Sequence, residues 1–103
     1  MLLWITTLRP ERGKQGAAVA WAKECIPLIN QAIEPVRPVE VFAEVFGNAG
    51  LIYFVGGYRD WAHIQKHRDW AATDQKALAI LRRSADEGLF VHGTRKDIVL
   101  EST

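Results

Sequence analysis

Large apolar side chains occupy both faces of at least two predicted strands, and this pattern restricts the fold more than any other feature of the sequence. In Val39–Phe46, one alternate set is aliphatic and the other mixes phenylalanine with glutamate: Val39, Val41, Ala43 and Val45 against Glu40, Phe42, Glu44 and Phe46. Successive side chains of a strand point to opposite sides of a sheet, so one layer of helices covers only one of these sets. The other face of the sheet needs a second cover.

The composition is that of one soluble domain, which we expect to span residues 1–103. Hydrophobic residues make up 49% and charged residues 24%, and the formal net charge is +1, so binding to nucleic acid or to an anionic membrane is not expected. Cys25 is the only cysteine; this excludes an internal disulfide and predicts a buried thiol in a reducing compartment. The first residues lack a signal-peptide pattern and no apolar run is long enough to span a membrane, which predicts a cytoplasmic protein.

Four strands and two helical segments are predicted from local patterns. Leu2–Leu8 is rich in β-formers and stops before Arg9 and Pro10, while apolar residues recur every three or four positions through the helical segment Gly13–Glu34. Four residues separate Val39–Phe46 from Leu51–Tyr58, which predicts an antiparallel hairpin. The fourth strand is predicted at Thr94–Leu100, with Lys96 and Asp97 protecting a sheet edge.

Two aspartates predict the helix starts in the second helical region. Asp60 and Asp74 are both suited to cap a helix, and whether the chain is interrupted between Asp69 and Asp74 stays open. Gly88 follows the last helical turn and suits a left-handed terminating residue. The predicted order β-α-β-β-α-β is the ferredoxin-like α+β arrangement, a four-stranded antiparallel sheet with both helices on one face.

A second copy of the chain is the predicted cover for the bare face of that sheet. A contiguous apolar face of this size exceeds what soluble monomers normally expose, and two-fold association is the commonest closed assembly. We therefore expect a homodimer in which two sheets pack face to face into a barrel.

Three segments give the chain its resemblance to the dimeric α+β barrel superfamily: Leu8-Arg9-Pro10, Phe46-Gly47-Asn48-Ala49-Gly50-Leu51 and Tyr58-Arg59-Asp60-Trp61. That superfamily includes antibiotic-biosynthesis monooxygenases, stress-responsive barrel proteins, NIPSNAP-like proteins and ligand-sensing domains of amino-acid-responsive regulators. The resemblance implies a dimeric barrel. The haem-degrading branch of that superfamily uses an asparagine on the first strand, where this chain has Thr6 and Thr7. The resemblance therefore assigns no catalytic residue to this chain.

Glu44, Tyr53 and His63 are the candidate catalytic residues. Glutamates among apolar side chains resemble the lining of a small-molecule pocket, where burial would raise the pKa of a carboxyl group toward acid–base use. Alternatively, Glu40 and Glu44 point into solvent at a strand edge or pair with Arg37 or Arg95 across the dimer. Trp4, Thr6, Tyr53 and Tyr58 could also reach the space between the sheet layers or under the helices. Four tryptophans could stack on a planar ligand or serve as core or dimer contacts: Trp4, Trp21, Trp61 and Trp70.

Asp60, His63 and His67 are spaced to share one face of a helix and form a candidate metal site. The alternative is that the histidines lie on a solvated face and Asp60 serves only as a cap. A haem would need an axial ligand from His63, His67 or His92. The sequence assigns no cofactor.

Three hypotheses for function follow from these patterns. The first is a barrel that binds, and can transform, a hydrophobic or aromatic small molecule, in the manner of a cofactor-independent oxygenase or isomerase. The second is a non-catalytic sensor or accessory dimer with a packed core, and the third is a metal or haem protein. An RNA-binding module is disfavoured, because the third strand lacks the basic residue and first aromatic of the RNA-recognition pattern.

Overall fold

One antiparallel sheet with helices on a single side forms the frame of the molecule. The computed structural model describes all 103 residues. In chain order the elements are β1 (Leu2–Leu8), α1 (Gln15–Ile33), β2 (Arg37–Ala43), β3 (Ile52–Tyr58), α2 (Trp61–Thr73), α3 (Gln75–Asp86) and β4 (Lys96–Glu101). The strands lie in the order β2-β3-β1-β4. The predicted ferredoxin-like α+β fold is confirmed.

The second helical region consists of two helices because the chain is extended at Asp74. This residue has φ −72° and ψ 131°, and its carboxylate accepts a hydrogen bond from the Ala77 N–H at 3.0 Å. Asp60 caps α2 in the same way, accepting from the His63 N–H at 2.9 Å. Both predicted caps are confirmed. The interruption that the sequence left open therefore lies at Asp74, and the two predicted helical segments form three helices.

The β2–β3 connection is longer than the predicted four-residue loop. β2 ends at Ala43 instead of Phe46, and Val45 and Phe46 are 88% and 93% exposed. The Glu44 carboxylate accepts a hydrogen bond from the Asn48 N–H, and the Gly50 N–H bonds to the Glu44 carbonyl at 3.0 Å. These local bonds close the loop at Glu44 and replace the strand pairing that Val45 and Phe46 would otherwise make.

A glycine in the left-handed backbone conformation follows the end of α3, as predicted. Gly88 has φ +60°. Its N–H bonds to the Ala85 carbonyl at 3.1 Å, and the Leu89 N–H bonds to the Ser84 carbonyl at 3.1 Å. These two bonds define a Schellman motif, which satisfies carbonyls that the helix leaves free and turns buried Leu89 into the core.

The two faces of the sheet have different surroundings. The helix face carries Leu2, Ile52 and Tyr58, which are buried and belong to two core clusters together with residues of the helices. Because side chains alternate, the opposite set points away from the helices, and we call that side the outer face. Its apolar residues are Leu3, Ile5, Phe42, Val55, Ile98 and Leu100. Phe42, Ile98 and Leu100 are each about half exposed.

Candidate functional site

A cavity of about 720 Å³ lies between the helix face of the sheet and the helices. Fourteen of its 20 lining residues are hydrophobic, so the space suits an apolar molecule better than a polar one. The polar and charged lining residues are Thr6, Tyr58, His67, Arg68, Arg95 and Asp97. A few polar groups in an apolar wall are typical of small-molecule sites, where they fix the orientation of the ligand.

Helix α2 forms one wall of this cavity. Trp61, Ile64, Arg68 and Ala71 follow one another at intervals of three and four residues and all line the space, since residues at this spacing share one side of a helix. The Asp60 cap fixes where the helix begins and therefore which side of it faces the sheet. Trp61 is 62% exposed, which places it at the mouth of the cavity.

Tyr58 and His67 form the central polar pair. The Tyr58 hydroxyl lies 2.7 Å from His67 Nδ1, and Tyr58 is only 1% exposed. A buried hydroxyl proton without an acceptor is costly, and His67 is the hydrogen-bond partner of this hydroxyl. The favoured arrangement therefore has Tyr58 donating to Nδ1, which leaves the proton of the uncharged imidazole on Nε2.

Burial keeps both members of this pair uncharged near neutral pH. It lowers the pKa of His67 from 6.5 to about 4, with smaller contributions from the charges of Arg95 and His63. Burial also raises the pKa of the Tyr58 hydroxyl well above its ordinary value. The Trp4 ring packs against both side chains, with ring centroids 5.0 Å from His67 and 5.7 Å from Tyr58. Trp4 of β1 therefore packs against both the strand residue and the helix residue of the pair.

A second polar group surrounds Asp97. Its carboxylate accepts hydrogen bonds from Trp4 Nε1 at 3.0 Å, from the Thr6 hydroxyl at 2.5 Å and from Arg95 Nε at 2.9 Å. Burial alone would raise the pKa of Asp97, but these donors and the positive charge of Arg95 hold it below its usual value. Asp97 is thus ionised, and both of its carboxylate oxygens accept hydrogen bonds. The sequence predicted an edge-protecting role for this residue, whereas the structure also places it in the cavity wall.

The predicted catalytic residues Glu44 and Tyr53 lie together, but away from the cavity. The Tyr53 hydroxyl donates to the Glu44 carboxylate at the end of the β2–β3 hairpin, and neither residue lines the cavity. This hydrogen bond, followed by the one from the Asn48 N–H, lowers the pKa of Glu44. The direction is opposite to the raised pKa that a general acid in an apolar pocket would have. The same bond raises the pKa of Tyr53.

His63 is buried, and both of its ring nitrogens are occupied. Nε2 lies 3.0 Å from the Ile33 carbonyl, to which it donates, and Nδ1 accepts from the Arg59 N–H at 3.1 Å. The ring therefore ties the end of α1 to the start of α2. Asp60 is used as the cap of α2, and His67 bonds to Tyr58. No group of three His, Cys, Asp or Glu side chains is arranged to hold a metal ion.

Other sequence candidates separate into core and cavity residues. Trp21 is 4% exposed and donates from Nε1 to the Ile80 carbonyl at 2.7 Å, although part of its ring lines the cavity. His92 is exposed and lies outside the cavity wall. Cys25 is buried and unpaired, as predicted, and burial raises the pKa of its thiol to about 12. Sequence reasoning missed Arg68 and the cavity role of Asp97.

Solved structures with the same fold include NIPSNAP proteins. The chain superposes on an uncharacterized NIPSNAP domain protein from Burkholderia xenovorans with a TM-score of 0.82 and 19% sequence identity, covering 100% of this chain and 95% of that one. For a NIPSNAP family protein from Agrobacterium tumefaciens the TM-score is 0.80 at 19% identity, over 99% and 92% of the two chains. These similarities confirm the expected ferredoxin-like fold over the full length of the chain.

A proposed antibiotic biosynthesis monooxygenase from Nitrosomonas europaea also has this fold. Its TM-score is 0.75 at 11% identity, over 99% of this chain and 98% of that one. The resemblance expected from the sequence is therefore confirmed at the level of the fold, with both NIPSNAP and monooxygenase-type proteins among the structural neighbours. No protein-family model and no curated protein matches the sequence. None of the helices has the length and apolarity required to cross a membrane.

Proposed function

We propose that the chain is a homodimeric barrel protein whose protomers each bind a hydrophobic or aromatic small molecule in the cavity between sheet and helices. The chemistry that this site suits is a cofactor-independent oxygenase or isomerase reaction. The observation that carries the proposal is the cavity itself, which combines a volume of about 720 Å³ with an apolar wall and one buried polar pair.

The size and lining of the cavity support an aromatic occupant. A volume of this order lies within the range of small-molecule and cofactor sites. Aromatic rings from the sheet and from α2 form much of the wall, among them Trp4, Phe54 and Trp61. Such rings pack well against planar ligands by offset or edge-to-face contacts.

The Tyr58–His67 pair supports a role in stabilising a ligand oxygen. With Tyr58 donating to Nδ1, His67 has an N–H at Nε2 that is free for a carbonyl, enolate or phenolate oxygen. A fixed hydrogen-bond donor in a mainly apolar site is effective where negative charge develops on oxygen. Isomerisation through an enolate and oxygenation of an enolate or phenolate both pass through a substrate anion with negative charge on such an oxygen.

Fold similarity supports the same class of function. The chain shares its fold with NIPSNAP domain proteins and with a proposed antibiotic biosynthesis monooxygenase. Fold alone does not determine activity, so the cavity chemistry is the stronger support.

Exposed apolar residues support the homodimer. Phe42, Ile98 and Leu100 lie on the outer face and are 47%, 44% and 50% exposed. Such a patch has a favourable free energy of association when a second apolar face covers it. In a two-fold dimer, the outer face of a second chain provides this cover.

The alternatives from the sequence have weaker support. A sensor with a packed core predicts a filled interior, and the cavity argues against that. For a haem or metal protein, His63 has no free nitrogen and the chain has no cluster of three potential metal ligands. Among the histidines, only His67 lines the cavity.

A cavity-filling substitution tests the proposal. Native mass spectrometry of the purified protein should detect a bound small molecule, and the uncharged fluorophore N-phenyl-naphthylamine should compete with it. Ala71→Trp places an indole into the cavity and should abolish both signals, because Ala71 lines the space. Ala79→Trp is the matched control, since Ala79 is an exposed residue of α3 outside the cavity wall. Equal probe binding by the two variants would refute a ligand site in the cavity.

A further inference from the structure

Charged side chains at the cavity are not balanced. Asp97 and Arg95 form an ion pair with Arg95 Nε 2.9 Å from the carboxylate, so their charges compensate each other. His67 is uncharged near neutral pH, because burial lowers its pKa. Arg68 takes part in none of the three ion pairs of the chain. The cavity wall therefore has one uncompensated positive charge.

Arg68 lies where it can meet one end of a ligand. It belongs to the side of α2 that lines the cavity, and it is solvent-exposed. Trp61 lies seven residues earlier, two turns along the same side of the helix, and is also exposed. The mouth of the cavity thus presents a guanidinium and an indole, whereas most of the remaining wall is apolar.

We infer that the cavity selects an organic anion, a molecule with an apolar body and a carboxylate or similar anionic head that pairs with Arg68. This inference rests on the proposed function, since it specifies the chemical class of the ligand for the same site. A guanidinium can bind a carboxylate through two parallel hydrogen bonds, which an uncharged analogue cannot reproduce. An additional anionic partner would also compensate the charge that the protein leaves unpaired.

A matched pair of fluorescent probes tests the inference. Pyrenebutyrate and pyrenebutanamide have the same apolar body and differ in the charge of the head group. Energy transfer from tryptophan to pyrene reports binding, since Trp4, Trp21 and Trp61 line the cavity. We expect the carboxylate to bind about five- to tenfold more tightly than the amide at low ionic strength, the range for an exposed but charge-assisted contact.

Two arginine variants assign that preference to one residue. Arg68→Gln should lower the affinity for pyrenebutyrate by about the same five- to tenfold and leave the affinity for pyrenebutanamide unchanged. Arg82→Gln is the control, because Arg82 is exposed, lies outside the cavity wall and makes no ion pair. Added salt should reduce the preference of the native protein.

The outcomes separate the two proposals. A preference for the carboxylate that disappears in Arg68→Gln supports selection of an anion. If both probes bind with equal affinity, or if Arg68→Gln keeps the preference, the inference fails while ligand binding stands. If neither probe binds, or if binding survives Ala71→Trp, the proposed ligand site fails as well.

Discussion

Replacing Ile98 with lysine should separate the proposed homodimer into folded monomers. Ile98 lies on the outer face, where it pairs with Ile5 of β1 and is 44% exposed. It belongs to the edge strand β4 and takes no part in the two core clusters. The substitution should therefore affect association and leave the fold of each chain intact.

The size of the effect follows from the exposed surface. Burying a whole isoleucine side chain contributes about 1.5–3 kcal/mol, so covering the exposed part of Ile98 contributes about 1 kcal/mol. A two-fold dimer contains this contact twice, which gives about 2 kcal/mol. That corresponds to an increase of about thirtyfold in the dissociation constant. Desolvation of two lysine ammonium groups adds to the cost, so thirtyfold is a lower bound.

Sedimentation over a range of protein concentrations measures this change. The native chain should have the mass of a dimer at micromolar concentration, and Ile98→Lys should have the mass of a monomer with an unchanged circular dichroism spectrum. Leu78→Lys is the control, since Leu78 is 38% exposed on α3, in the helical layer. A native protein that sediments as a stable folded monomer would refute the dimer. Equal dimerisation by the native protein and Ile98→Lys would exclude the outer face as the interface.

Three further predictions concern groups whose environment is set by burial or backbone geometry. Burial lowers the pKa of His67 from 6.5 to about 4. The contribution of uncharged His67 to the free energy of unfolding is therefore fully present above pH 6.5 and is lost as the pH falls through 4. Urea titrations across this pH range should detect the loss, and the loss should be smaller in His67→Gln. Gly88→Ala should lower the free energy of unfolding by about 1–2 kcal/mol, because Gly88 has a positive φ. Gly16 lies in α1, where an added Cβ meets nothing within 4 Å. Gly16→Ala should therefore raise the free energy of unfolding by up to about 1 kcal/mol. Cys25 lines the cavity, but burial raises its pKa to about 12; a thiol reagent at mildly alkaline pH should therefore react much more slowly with the native protein than with the unfolded chain, and equal rates in the two states would contradict this.

Features with a local cause could be predicted from the sequence. The bounds of β1 agree with the prediction, and Asp60, Asp74 and Gly88 end or begin helices as expected. Each of these signals depends on a few neighbouring residues. The end of β2 could not be predicted from neighbouring residues, because the strand-like pattern of apolar residues continues through Val45 and Phe46. The bonds of Glu44 to the hairpin loop decide where the strand stops.

The cavity could not be predicted because no local pattern contains it. Tyr58 ends a strand and His67 lies in the following helix, so their hydrogen bond depends on how α2 packs on the sheet. Asp97 reaches Trp4 and Thr6 across 93 and 91 residues of sequence. Sequence patterns also could not tell which alternate set of strand residues meets the helices, since both sets contain large apolar residues. Tyr53 proved to belong to the outer set.

The register of the sheet links the two proposed surfaces. Gly56 of β3 pairs with Trp4 and lines the cavity, and it has no side chain to fill the space there. A Cβ at this position would lie 2.7 Å from the Val39 side chain, so the close packing of β2 against β3 requires glycine. A shift of one residue in β3 would move every side chain of that strand to the opposite face. Cavity-lining Phe54 would then join the outer face, and outer Val55 would enter the cavity wall. The same pairing therefore determines both the cavity wall and the outer face, so substitutions on the outer face should leave the cavity intact only if they keep this register.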